Sequence, residues 1–338
     1  MAILRKVFVA SFLSGVVAFA ADSPLLKLVM PDAQILFGAN VERIVNSQIG
    51  KEIGSQIQGK LPELQQAIQK TGFDPTKDLK EVLIAATAQG QKGPALVLVR
   101  GSFDPDKIRA AIASTGRTPQ VYQGVQILDN PSKTNGAFAF LDGTIAVGGD
   151  LDQVQAAIRR RSHATTLNPQ LAAQVAAMSD RYDIWVVSAA SLGKMTDGIS
   201  GPQLKQAGEL LKTIDQVSGG LKFTENLNLG IELTTRNPKD AEKLRDTLQM
   251  LVSMAAASQK DSSALDLNAL KMTAEAKTVH IAITVTGEQL KKTYEMQMAK
   301  MQHQATEARA AKPVVDNGGL TIQSSESDMG TVTLSSTK

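Results

Sequence analysis

The spacing of apolar residues predicts strands and helices in a recurring order. Residues 95–100 form a short apolar run that is typical of a buried strand. Asp104-Pro105 then predicts the start of a helix, because aspartate caps helix N-termini and proline suits the first helical position. Ile108, Ala111 and Ile112 would lie on one face of that helix.

The same order recurs about 134 residues later. Residues 229–234 predict a strand, and Asn237-Pro238 predicts the start of the next helix. The apolar residues of that helix are spaced three or four positions apart, as one packed face requires. They are Ala241, Leu244, Leu248, Leu251 and Val252.

Two hairpin strands follow each of these helices. The first pair, residues 137–141 and 144–147, flanks Asp142-Gly143, which is a strong short-range hairpin signal. The comparable pair in the second part of the chain spans residues 270–276 and 279–285. The recurrence therefore extends over strand, helix and hairpin.

A helix cap follows each hairpin, at Asp150 and at Thr286, each with a glutamine three residues later. The first strands of the two copies, residues 35–41 and 186–192, correspond more loosely. We therefore predict an α+β fold of two similar modules that arose by internal duplication. Hairpins mixed with short helices favour an antiparallel or mixed sheet with helices packed on one face.

The N-terminus has the layout of a secretory signal peptide. Arg5 and Lys6 precede an apolar run over residues 7–17, which is too short to span a bilayer. Ala18-Phe19-Ala20 is a small-residue cleavage site, so we expect cleavage between Ala20 and Ala21. The mature protein is then expected in the periplasm or outside the cell.

The predicted chain organisation follows from these patterns and from changes in composition. The tail is rich in Ser, Thr, Gly and Asp and is expected to be disordered, although the alternation over residues 329–334 is also compatible with a strand that pairs with a sheet edge. The segments are a signal peptide (1–20), a first module (21–161), a connecting segment (162–182), a second module with a long terminal helix (183–311) and the tail (312–338).

Composition excludes several classes of function. Removing residues 1–20 removes Arg5 and Lys6, which lowers the formal net charge from +3 to +1 and leaves no general attraction to nucleic acid. The chain has no cysteine, so disulfides, thiol catalysis and zinc-thiolate sites are excluded. No apolar stretch of the mature chain is long enough to cross a membrane.

No catalytic, cofactor-binding or metal-ligating set can be assigned. The three histidines, His163, His280 and His303, have no metal-ligand spacing, and His280 is expected on a solvent-facing strand surface. Ser191 and Lys194 match the S-x-x-K motif of penicillin-recognising enzymes, but the accompanying motifs are absent, so Ser191 is better explained as a helix cap.

Other candidates also have simpler structural explanations. Arg159-Arg160-Arg161 ends a predicted helix, where cations complement the helix dipole; a patch that binds anions or lipid headgroups is the alternative. Trp185, the only tryptophan, lies in a predicted strand and is expected in the core. With aromatic residues at 4%, sugar binding and base stacking are disfavoured.

Several short phrases resemble those of an uncharacterised family of exported bacterial proteins. The resemblance covers the first half of the chain well and the second half only by pattern, and it implies export and an α+β fold without supplying an activity or site residues. The phrases are Leu28-Val29-Met30-Pro31-Asp32-Ala33, Gly72-Phe73-Asp74-Pro75, Arg100-Gly101-Ser102-Phe103-Asp104, Tyr122-Gln123-Gly124-Val125 and Ala139-Phe140-Leu141-Asp142.

The predicted terminal helix, residues 288–311, has an apolar stripe that includes Leu290, Tyr294, Met298 and Met301. Its first turns are expected to pack on the second module, and its methionines would suit an adaptable contact surface.

Three functions are compatible with these observations. The favoured one is a non-enzymatic exported protein that binds an unknown protein or envelope component. A hydrolase of unknown type with a loop-borne site is the first alternative. An envelope lipid-binding module with a cleft between the two copies is the second.

Overall fold

The computed structural model describes residues 23–57, 62–88, 93–113, 118–129, 136–163, 166–191, 211–258, 267–293 and 295–296. Twelve strands form one sheet in which every neighbouring pair is antiparallel. The strands are β1 (Ile35–Asn40), β2 (Leu79–Ala86), β3 (Ala95–Gly101), β4 (Thr118–Tyr122), β5 (Val125–Asp129), β6 (Ala137–Phe140), β7 (Ile145–Gly149), β8 (Ile184–Ser188), β9 (Ile214–Phe223), β10 (Asn226–Thr235), β11 (Lys271–Glu275) and β12 (Thr278–Thr286).

Helices connect many of these strands. They are α1 (Val41–Asn46), α2 (Gln48–Ile57), α3 (Pro62–Thr71), α4 (Pro75–Asp78), α5 (Pro105–Ala113), α6 (Leu151–Arg160), α7 (Pro169–Arg181) and α8 (Pro238–Ser258), with single 3₁₀ turns at Leu26–Leu28 and Leu267–Ala269. Residues 287–293 and 295–296 also have helical backbone. The prediction of an α+β fold is confirmed.

The strand order is the same in both halves of the sheet. Across the sheet the order is β11-β12-β10-β9-β8-β1-β2-β3-β7-β6-β5-β4. Counted outward from the centre, the first half runs β1-β2-β3-β7-β6 and the second runs β8-β9-β10-β12-β11. A helix, α5 or α8, follows the third strand of each half. The hairpin β4–β5 has no counterpart among the described strands of the second half.

Helices pack against both faces of this sheet rather than one. We call the face with Leu36, Leu83 and Leu98 the core face; α6 and α7 pack there. The other face, which we call the second face, receives α5 near Val99 and α8 near Val217. Strand β3 has apolar residues at consecutive positions, so apolar side chains project from both of its faces. Both faces of the strand therefore require packing partners.

The local signals at two helix starts and one hairpin act as predicted, whereas the predicted cap at Asp150 does not. Asp104 accepts a hydrogen bond from the Lys107 amide at 3.2 Å, and Asn237 accepts one from the Asp240 amide at 3.0 Å. In the predicted hairpin, Asp142 accepts hydrogen bonds from the Thr144 and Ile145 amides at 2.7 and 2.9 Å. Asp150 precedes α6 but makes no side-chain cap bond.

The centre of the sheet depends on close packing between β1 and β8. Gly38 pairs with Trp185, and a Cβ atom on Gly38 would lie 2.2 Å from the indole Cζ2 atom. Only glycine therefore leaves room for the ring, which lies against the core face. Trp185 is 6% exposed, which confirms its predicted place in the core.

Several predictions fall outside the described residues. They concern the signal peptide (1–20), the N-cap role of Ser191 for a helix in residues 192–210, the side chain of Tyr294 and the tail (312–338). Leu290, at the start of the predicted terminal helix, is half-buried.

Candidate functional site

A row of apolar side chains crosses the middle of the second face. Val97 pairs with Ile84, Ile84 with Phe37, and Phe37 with Val186 across the centre of the sheet. Val186 then pairs with Gly219, and Gly219 with Ile231. We call the five side chains Val97, Ile84, Phe37, Val186 and Ile231 the apolar strip.

The apolar strip is only half-buried. Phe37 is 36% exposed, and the other four side chains are of intermediate exposure. A parallel row beside it, also half-buried, consists of Val82, Ile184, Leu221 and Leu229. On β1, β2 and β8 the core-face residues Leu36, Leu83 and Val187 are buried, so on these strands the exposure is specific to the second face.

Helix-covered clusters lie at both ends of the apolar strip. At one end, Ile108 of α5 packs with Phe140 and Ala146, and the rings of Phe73 and Phe103 stack with centroids 5.4 Å apart. At the other end, Ala241 and Leu244 of α8 cover Val279 and Ile214. The strip thus lies between two packed clusters.

A polar cluster joins the two halves at the rim of the sheet. Asp183, with its side chain 1% exposed, lies 2.9 Å from the Lys222 ammonium and 3.4 Å from Arg43 Nε. It also accepts a hydrogen bond from the Phe223 amide at 2.9 Å. Because Arg43 follows β1 and Lys222 belongs to β9, this buried carboxylate bonds to both halves.

A pocket of about 440 Å³ lies beside this cluster on the core face. Both of its arginines have protein partners: Arg100 Nε donates to Glu81 at 3.0 Å, and Arg43 Nη2 donates to the Ser179 carbonyl at 2.9 Å. The guanidinium groups of the pocket thus make ion pairs and hydrogen bonds within the protein, which join β3 to β2 and α1 to α7. Its walls are Ser23, Pro24, Ala39, Asn40, Arg43, Glu81, Arg100, Ser179, Asp180 and Trp185.

The structure does not bring the sequence candidates for chemistry together. His163 is exposed, and His280 lies 3.8 Å from Glu232 on the core face of the second half. The Ser191 hydroxyl donates to the Ile214 carbonyl at 3.1 Å, while Lys194 and His303 lie outside the described residues. Among the described residues, no group of three His, Asp or Glu side chains could hold a metal ion.

The three arginines at the end of α6 diverge. Arg159 donates to the Tyr122 hydroxyl at 2.7 Å, Arg160 donates through Nε to the Leu28 carbonyl at 2.8 Å, and Arg161 lies 3.8 Å from Asp142. Burial, followed by the charge of Arg159, lowers the pKa of the Arg160 guanidinium. These side chains anchor α6 to separate parts of the first half and do not form one anion-binding patch.

Within the part of the chain that the structure describes, no helix combines the length and apolar character needed to cross a membrane.

The sequence reasoning missed the apolar strip. The signal was present in β2 and β3, where apolar residues occupy consecutive positions and so place apolar side chains on both faces. Which of the two faces is less completely buried depends on where the helices pack, and strand periodicity does not show that.

Comparison with known proteins finds similarity of structure only. No family model matches the chain, and no curated protein matches it. Crystal form I of TP0453 aligns with a TM-score of 0.48 at 13% identity, over 78% of this chain and 94% of that one. Crystal form III aligns with a TM-score of 0.48 at 11% identity, over 78% and 95%. Similarity at this level does not transfer function.

Proposed function

We propose that this is an exported, non-enzymatic binding protein that holds an apolar ligand of the lipid class on the apolar strip. The observation that carries this proposal is the row of partly exposed apolar side chains, interrupted by Gly219 on β9, between two helix-covered clusters. Folded proteins seldom leave contiguous apolar surface in contact with water unless it binds something.

The dimensions of the apolar strip favour a linear ligand. It crosses six adjacent strands, from β10 to β3, and at about 4.8 Å per strand its length is about 24 Å. The side chains along it are aliphatic or aromatic, so the strip offers no hydrogen bonds to a polar ligand. An extended acyl chain matches both the length and the lack of polar groups.

The position of the apolar strip supports the lipid-binding alternative derived from the sequence. Phe37 of β1 and Val186 of β8 meet at the junction of the two halves, where that alternative placed its ligand. The favoured sequence-based function, binding without catalysis, is retained in this form.

Ligand binding can be tested with the mature chain starting at Ala21 and a fluorescent fatty acid. We expect the wild type to bind it and Phe37→Asn to bind about tenfold more weakly, because a large apolar contact is lost. Val121→Asn is the matched control: Val121 is 75% exposed on β4, outside the strip, so this variant should bind like the wild type.

Two results would contradict the proposal. One is a wild-type protein that shows no saturable binding. The other is equal binding by the Phe37 and Val121 variants when both have the wild-type melting temperature.

The proposal includes export and duplication. The leader pattern supports cleavage after Ala20 and a periplasmic or secreted location, which N-terminal sequencing of the exported protein would test. The shared strand order supports two modules, residues 21–161 and 183–311, related by duplication and joined by residues 162–182, with residues 312–338 as a tail.

A further inference from the structure

The two edges of the sheet differ in how they are protected. Within the described residues β4 is paired only with β5, and β11 only with β12. Edge β4 contains Pro119, which lacks an amide hydrogen and so opposes the addition of another strand. Edge β11 contains no proline.

The strand order of the halves also identifies β11 as the more open edge. Its counterpart in the first half is β6, and β6 is covered by the hairpin β5–β4. The second half has no described strand in that position. The main-chain groups along the outer side of β11 are therefore the ones to which a further strand can add.

The sequence of β11 is complementary to itself when two copies run antiparallel. Its five residues are Lys271-Met272-Thr273-Ala274-Glu275. With Thr273 opposite Thr273 of a second copy, each Lys271 lies opposite a Glu275 and each Met272 lies opposite an Ala274. The chain thus carries opposite charges at the two positions that this register brings together.

The side chains of β11 are arranged as this pairing requires. Lys271, Thr273 and Glu275 lie on the core face and are exposed, so their charges are accessible. Met272 and Ala274 lie on the second face, where Met272 pairs with Ile281 and Ile281 with Ile231 of the apolar strip. The apolar row would therefore continue from one copy into the other.

We infer that β11 is the docking edge for a second copy of this chain, which pairs with it antiparallel about Thr273. The resulting dimer joins two twelve-stranded sheets edge to edge. Each interface holds two Lys271–Glu275 pairs on one face and two Met272–Ala274 contacts on the other. Main-chain hydrogen bonds supply affinity, and the charges fix the register.

Charge reversal tests this inference without removing apolar contacts. K271E places two like-charged pairs in the interface, as does E275K, so each single variant should weaken dimerisation about tenfold or more. An equimolar mixture of the two single variants restores opposite charges and should form heterodimers. The double variant K271E/E275K should form homodimers like the wild type.

Sedimentation equilibrium of the chain from Ala21 measures each mass over a range of concentrations. A wild type that stays monomeric up to about 1 mM would overturn the inference, because weaker association is not specific binding. It would show that Lys271 and Glu275 instead guard the edge against association. Single variants that dimerise as well as the wild type, with unchanged circular dichroism, would also overturn it.

Discussion

The two halves of the sheet share their strand order but differ in what covers them. On the core face of the first half, Leu36, Leu83 and Leu98 join a large buried cluster with α6 and α7. The same face of the second half carries Ser218, Glu232 and His280, which pair in register with one another. A common topology therefore supports a two-sided core in the first half, whereas the strands of the second half beyond β9 have an apolar core mainly on the second face.

Because of this difference, two halves with the same strand order should contribute unequally to the stability of the protein. The second half's described cluster contains four buried residues, all on the second face: Ile214, Ala241, Leu244 and Val279. Burial of apolar surface is the main stabilising term in folding, so the first half should contribute most of the unfolding free energy. The second half should then depend on its pairing with the first at β1–β8.

Matched leucine truncations give the largest expected effect. Leu98→Ala should lower the free energy of unfolding by about 3–5 kcal/mol, because Leu98 is 0% exposed inside the large cluster and the cavity cannot collapse. Leu244→Ala should cost about 2–3 kcal/mol, since α8 covers a small cluster and can shift towards the cavity.

Urea unfolding followed by circular dichroism measures both leucine variants. Equal losses, or a larger loss for Leu244→Ala, would show that the two cores hold their halves equally well.

Removing the buried Asp183 carboxylate, which bonds to both halves, should have an intermediate effect on the free energy of unfolding. Asp183→Asn should cost about 2–3 kcal/mol, because the buried charge bonds to Lys222 and to the Phe223 amide on one side and to Arg43 on the other. The control is Asp180→Asn, an exposed position close by, which should change stability by less than about 0.5 kcal/mol.

Fluorescence of Trp185 is the appropriate signal for this pair, since the indole packs on Gly38 across the junction. If Asp183→Asn unfolds at the same urea concentration as the wild type, the cluster does not hold the halves together.

The smallest effects on the free energy of unfolding are expected at the hairpins β6–β7 and β11–β12, which occupy corresponding positions in the two halves. In the second half the turn residue Ala276 has φ of 48°, a left-handed conformation that costs a non-glycine residue about 1 kcal/mol. Ala276→Gly should therefore raise the free energy of unfolding by up to about 1 kcal/mol. Thermal unfolding of this variant beside Gly124→Ala, which introduces a side chain at φ of 77° in another hairpin, should give shifts of opposite sign.

The first-half hairpin should instead respond to pH. Burial acts to raise the pKa of Asp142, but hydrogen bonds from Thr144 and Ile145 and the charge of Arg161 outweigh it and hold the pKa below its usual value. The ionised Asp142 carboxylate therefore stabilises the folded state at pH values above the ordinary carboxyl pKa. This stabilisation is lost as the pH falls through the lowered pKa. Because the side chain is 44% exposed, the loss should stay below about 1 kcal/mol. Asp142→Asn should remove this part of the acid sensitivity in unfolding experiments between pH 7 and pH 2.

Much of the fold could be predicted from short-range signals. Asp104-Pro105, Asn237-Pro238 and Asp142-Gly143 placed two helix starts and a hairpin, because their side chains bond to the local backbone. The correspondence of β3 with β10 could be predicted as well, because one of these helix starts follows each strand. These features depend on residues close together in the sequence.

The candidate site could not be predicted in this way. The apolar strip exists because Phe37 meets Val186, which is 149 positions away, and because the clusters that α5 and α8 form do not include these side chains. Likewise, nothing in the local sequence around Asp183 indicates its role, which depends on the distant residues Arg43 and Lys222 beside it. Such features depend on tertiary packing, which local patterns do not specify.

The central pairing of β1 with β8 also sets an order of events during folding. Leu36 pairs with Ala85 and with Val187, so the second pairing closes a much longer loop than the first. While the chain is being synthesised, β1 can form its ladder with β2 long before β8 exists. The strand at the middle of the finished sheet is therefore an open edge in the nascent protein, and it is there that wrong pairings between growing chains should begin.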